Sequence, residues 1–116
     1  MVGDGSLFGS ELGPPAWELN DTPPGPVSAL QFNRGVLALE PLGPRYAPDP
    51  SAFAAKGLRR ALVAAGVAVD GAAAVGLTPG GAVPLAAVQS PPVSELVRLT
   101  NKPSDNLLVG IAGYRD

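Results

Sequence analysis

Apolar positions along the chain come in short runs cut by proline and glycine, and two segments hold a helical spacing. The first opens at Asp49-Pro50, an N-cap acid followed by proline at the first helical position. Phe53, Leu58, Ala61, Leu62 and Ala65 then share one face, Lys56, Arg59 and Arg60 turn toward solvent, and Gly66 is placed to end the helix. The second helix begins near Pro92, with Ser90 as its cap. Val93, Leu96, Val97 and Thr100 form its apolar face, and Pro103 ends it.

The remaining apolar runs are too short for helices. Residues 27–30 and 36–39 flank Asn33-Arg34-Gly35, a hairpin-compatible spacing that predicts two strands. Residues 67–69, 72–77 and 82–88 read as strands joined by Asp70-Gly71 and Thr78-Pro79-Gly80-Gly81, and Pro84 makes the last an edge or irregular strand. Residues 1–26, with Gly13-Pro14-Pro15 and Thr22-Pro23-Pro24-Gly25-Pro26, read as an extended loop. Trp17 is read there as an anchor pinning the loop to the body, in preference to a substrate platform. The pattern predicts an α+β fold with short antiparallel strands, one central amphipathic helix and a short C-terminal helix leading into a Ser104-Asp105-Asn106 turn. It divides the chain into a Pro-rich loop with strands (1–47), a helix with short strands (48–89) and a terminal segment (90–116).

Composition changes this picture in two ways. The 14 Pro and 15 Gly of 116 residues approach low-complexity proportions, while 46% hydrophobic residues and a net charge of −2 argue for a packed middle and a poorly ordered start. Much of the apolar content is alanine, so the core should be thin and stability marginal. The chain has no Cys and no His, which removes disulfides, thiolate metal sites and the commonest general base, and no cofactor is expected. No basic cluster suggests nucleic acid, and no apolar run is long enough to span a membrane. The N-terminal residues lack the pattern of a signal peptide.

The chemistry-bearing stretch is SPPVSELVRLTNKPSDNLL, residues 90–108. Ser104-Asp105-Asn106 could simply cap a following helix, since Ser and Asp accept hydrogen bonds from its free amides. Lys102, across Pro103 from Ser104, is read as a surface residue. The stretch resembles the low-molecular-mass class C penicillin-binding proteins, the D-alanyl-D-alanine carboxypeptidase/endopeptidase family, whose active site combines Ser-x-x-Lys, Ser-Asp-Asn and Lys-Thr-Gly. Val2-Gly3-Asp4-Gly5-Ser6-Leu7-Phe8, Pro26-Val27-Ser28-Ala29-Leu30 with Asn33, and the helix-to-glycine block of residues 53–71 are also similar to family segments, in family order. After Leu108 the chain departs from the family pattern, as a frameshift or truncation would produce.

The resemblance implies that Ser104 is a proton-relay hydroxyl, that Asn106 orients a catalytic lysine and the substrate peptide, and that Asp105 points away from the cleft. It also implies that residues 1–89 belong to an accessory insert and 90–116 to a return into the catalytic domain. The parent enzyme would act on peptidoglycan stem peptides, react with β-lactams and reside in the cell envelope. Neither Ser-x-x-Lys nor Lys-Thr-Gly occurs in the chain, and Ser51 stands five positions from Lys56, off the i, i+3 or i+4 relation. The expectation is a carboxypeptidase fragment inactive by itself. The alternatives are a noncatalytic cell-wall or partner-binding module using the Pro-rich start and the Arg59-Arg60 face, or a pseudogene remnant. Oligomeric state is left open.

Overall fold

The computed structural model describes residues 1–8 and 25–101, and within them the fold is α+β. Two helices accompany two small sheets: β1 (Val2–Gly3), β2 (Val36–Glu40), β3 (Gly43–Tyr46), α1 (Pro50–Ala64), β4 (Ala74–Val75) and α2 (Val93–Asn101). β1 pairs with β4 in parallel, Val2 opposite Ala74 and Gly3 opposite Val75, and β2 pairs with β3 antiparallel.

α1 starts and stops where its sequence dictates. Asp49 is the N-cap, its Oδ1 accepting from the Ala52 amide at 2.9 Å, and Pro50 occupies the first helical position, where a missing N–H costs nothing. At the other end Gly66 takes φ 85°, its amide reaching the Val63 carbonyl at 3.0 Å while Val67 N–H reaches Leu62 O at 2.9 Å. Those two bonds close a Schellman motif that only a residue tolerant of positive φ can form cheaply.

The buried face of α1 differs from the one its large residues suggest. Pro50, Ser51, Ala54, Ala55 and Gly57 are buried, while Leu58 is 54% exposed and Ala61 and Ala65 lie in solvent. Close approach selects the small side: a β-carbon at Gly3 would lie 2.9 Å from Ser51 O, and one at Gly57 3.1 Å from the Phe32 ring. Phe53 is the large residue that packs as expected, its ring centroid 5.6 Å from that of Phe32. Val27, Ala47, Ala54 and Ala55 make up the buried hydrophobic core of the described residues. At about 0.8 kcal/mol per buried methylene, such a core stabilises weakly.

The hairpin forms one strand later than its sequence pattern suggests. Residues 27–30 are not a strand, and β2 turns through Pro41-Leu42 into β3. Asn33-Arg34-Gly35 is instead a left-handed turn entering β2, with φ of 49°, 54° and 74°. It is held by Gly35 N–H on Phe32 O at 2.9 Å and by Asn33 Nδ2 donating to Val36 O at 3.0 Å. Of the three strands expected beyond α1, Ala74–Val75 forms; residues 67–69 and 82–88 do not, the latter lacking a partner strand and carrying Pro84. β1 was hidden in a segment read as loop, because its two residues carry no alternation a sequence could show.

Candidate functional site

α2 delivers the chain to the Ser-Asp-Asn tripeptide. Ser90 does not cap it: the Ser90 hydroxyl donates to Pro91 O at 3.2 Å, and the first turn closes on Pro92 O, which accepts from Glu95 N at 2.9 Å and Leu96 N at 3.1 Å. Arg98 Nε donates to Glu95 Oε2 at 2.9 Å, and that ion pair holds the Glu95 carboxyl below its usual range and raises the Arg98 guanidinium. Thr100 Oγ1 donates back to Leu96 O at 2.7 Å.

Much of the apolar stripe of α2 is open to solvent, with Leu96 and Thr100 half-buried. Val93 is 68% and Val97 50% exposed, and no residue of the helix is buried. A stripe at i, i+3, i+4 and i+7 with charged residues on the flank is built to be covered. Ser104, Asp105 and Asn106, together with Lys102 and Trp17, lie outside the described residues.

A second cluster of hydroxyls sits at the start of α1. Ser51 is buried, and its Oγ lies 2.7 Å from Ser28 Oγ, which also accepts from the Leu30 amide at 3.3 Å. Gly5 leaves room for this pair: its β-carbon would collide with Ser51 Oγ and lie 2.7 Å from Ser28 Oγ. Lys56 is exposed, five positions along the helix, so Ser51 has no base beside it. An internally satisfied, covered hydroxyl without a base is a packing element and not a nucleophile.

Two polar side chains do work that the sequence pattern did not reveal. Asp4 Oδ1 accepts from the Ser6 amide at 2.9 Å and Oδ2 from the Thr78 amide at 2.6 Å. Hydrogen bonds from Ser6, then from Thr78, hold its carboxyl far below the usual range. The signal for the local half was legible, since Asp-Gly-Ser is turn chemistry; the tie to Thr78, 74 residues away, was not. Arg59 turns from solvent to the loop after α1, Nε donating to Gly71 O at 2.8 Å and Nη2 to Val69 O at 3.2 Å. That use removes one of the three cations from the basic face, leaving Lys56 and Arg60 exposed.

Among the described residues no group of three or more His, Cys, Asp and Glu converges to hold a metal ion, and no helix is long and apolar enough to cross a membrane.

The family model of the D-Ala-D-Ala carboxypeptidase 3 (S13) family matches residues 44–112, from β3 through α1 and α2 and across Ser104-Asp105-Asn106. The match continues four residues past Leu108, where departure from the family pattern was expected, and it leaves the resemblances at residues 2–8 and 26–33 outside its span. No curated protein and no solved structure matches the chain. With more than half of its residues inside the family match, the chain belongs to the D-Ala-D-Ala carboxypeptidase 3 (S13) family.

Proposed function

We propose that this chain supplies the Ser-Asp-Asn element of a serine-type D-Ala-D-Ala carboxypeptidase that hydrolyses peptidoglycan stem peptides in the cell envelope. The observation that carries the reading is the family match, whose span of residues 44–112 includes Ser104 and Asn106.

In this reading the nucleophile, a serine followed three positions later by lysine, comes from outside these 116 residues, as does the Lys-Thr-Gly that holds the terminal carboxylate. The serine attacks the carbonyl of the D-Ala-D-Ala bond and the C–N bond breaks. Ser104 Oγ then passes a proton to the departing D-Ala amine as the acyl-serine forms, and water hydrolyses the ester. Asn106 brings both a donor and an acceptor, its carboxamide holding the catalytic lysine on one side and the substrate peptide on the other. The same acylation chemistry makes a β-lactam a second ligand.

The division of labour has a direct test. The purified chain is incubated with excess benzylpenicillin and its intact mass recorded. The expected result is no adduct, because a relay hydroxyl without nucleophile and oxyanion hole leaves acyl transfer uncatalysed. A stoichiometric penicilloyl adduct on any serine of this chain overturns the proposal.

A further inference from the structure

The folded body of this protein has a sharp edge at Thr78. Before it, β4 is tied to β1 by Ala74 N–H on Met1 O at 3.0 Å and Gly76 N–H on Gly3 O at 3.2 Å, and both strands pack on α1. Two residues later the Thr78 amide reaches Asp4 Oδ2 at 2.6 Å, the last hydrogen bond the chain makes to the body among the described residues. Asp4 is itself held by the Ser6 amide on its other oxygen, so both carboxylate oxygens are engaged.

Beyond Thr78 the character of the chain changes. Every residue from 79 to 92 is exposed, and the backbone hydrogen bonding within this stretch is local, Ala82 N–H on Pro79 O at 3.0 Å and the α2 cap at Pro92. Pro79, Pro84, Pro91 and Pro92 lack amide hydrogens, and the residue before each is driven to extended backbone. No strand or helix forms between β4 and α2. Leu85 and Val88 stand 97% and 100% exposed, so side-chain packing does not hold the stretch to the body either.

We propose that Asp4 is a latch that ends the body at Thr78 and leaves residues 79–92 as an arm on which α2 swings. Fourteen residues span at most about 45–50 Å when extended. The arm therefore sets how far α2 can travel from α1. α2 and the exposed arm are free to shift relative to α1, while the latch stops that motion from unzipping β4 from β1. The latch stands independently of the acyl-serine reading, which fails or survives by penicillin acylation, whereas the latch is read by amide exchange.

Hydrogen–deuterium exchange on the full chain, resolved by residue with NMR, tests it. The expected pattern is strong protection of α1, measurable protection of the Thr78 amide, and exchange near the unstructured rate for the non-proline amides of residues 80–90. In Asp4→Ala, Thr78 exchange should accelerate at least tenfold, Ala74 and Gly76 should follow, and α1 should keep its protection. Thr78→Pro, which removes the donated N–H, should free Ala74 and Gly76 in the same way. Protection of residues 80–90 equal to that of α1, an unprotected Thr78 amide in the wild type, or undiminished Ala74 and Gly76 protection in both variants overturns the latch. So does loss of α1 protection in both variants, which would make this contact part of the core and not its edge.

Discussion

The contact between β1 and α1 has no slack, and Gly3→Ala measures it. A β-carbon at position 3 would lie 2.9 Å from the Ser51 carbonyl oxygen, 3.0 Å from Ala55 Cβ and 3.0 Å from Leu30 Cδ2. Two of those three atoms belong to α1, and one is backbone, so no rotamer change relieves the clash. β1 must retreat by about 0.5 Å to restore ordinary contact, stretching the Gly76 N–H to Gly3 O bond, already 3.2 Å. Overpacking of this kind costs about 1–3 kcal/mol. The lower unfolded-state entropy of alanine returns about 0.4–1 kcal/mol, leaving a net loss of about 1–2 kcal/mol. For a domain of this size that lowers Tm by roughly 4–8 °C. The assay is thermal and urea unfolding followed by circular dichroism at 222 nm, which reports on α1. Gly80→Ala is the control, with no heavy atom within 4 Å of its β-carbon, and should stay within about 0.5 kcal/mol of wild type. If Gly3→Ala is as stable as the control, the close packing of β1 on α1 is wrong.

Three further outcomes are expected. Asp49→Ala should lose about 1 kcal/mol by removing the acceptor of the Ala52 amide, whereas Asp49→Asn should keep most of it; equal loss in both would contradict the cap. Ser28→Ala and Ser51→Ala should each cost about 0.5–1.5 kcal/mol, and the double variant should cost less than their sum, because each single change strands the other hydroxyl; strict additivity would contradict the pairing. The Asp4 carboxyl is held below its ordinary value in the folded chain, so its contribution is present above the unfolded pKa near 4 and is lost as pH falls toward the folded one. The urea midpoint of wild type should therefore fall more steeply between about pH 5 and pH 2 than that of Asp4→Asn, and parallel curves would contradict the tie to Thr78.

The features legible in the sequence are those decided by neighbours in the chain. Asp49-Pro50 and Gly66 mark the ends of α1 because capping is a local matter of one side chain and one φ angle. α2 was legible from its stripe and its flanking prolines for the same reason. What escaped was decided by distant parts. The spacing of Leu58, Ala61 and Leu62 suggested the inner face of α1, but Gly3 approaches too closely for anything larger than Ser51 and Ala55 to face it. Arg59 looked like one of three solvated cations, until the Schellman turn at Gly66 brought the Val69 and Gly71 carbonyls within its reach. The strand partner of Val2–Gly3 is 72 residues away, and no local pattern carries that information. For the site, the motif residues Ser104 and Asn106 were read from sequence and fall outside the described residues, while the family match spans them.

The central claim is that Ser104 and Asn106 serve acyl-serine chemistry, and exchange of the element into a working enzyme tests it most directly. Residues 90–108 replace the corresponding segment of an active, full-length D-Ala-D-Ala carboxypeptidase of the S13 family, and kcat/KM on a D-Ala-D-Ala peptide is measured. The chimera should retain activity within about tenfold of its parent, and Ser104→Ala or Asn106→Ala within it should lower kcat/KM by about 100-fold or more, the scale on which a proton relay or an oriented amide contributes. A folded chimera with no activity, or one indifferent to both substitutions, would contradict the account.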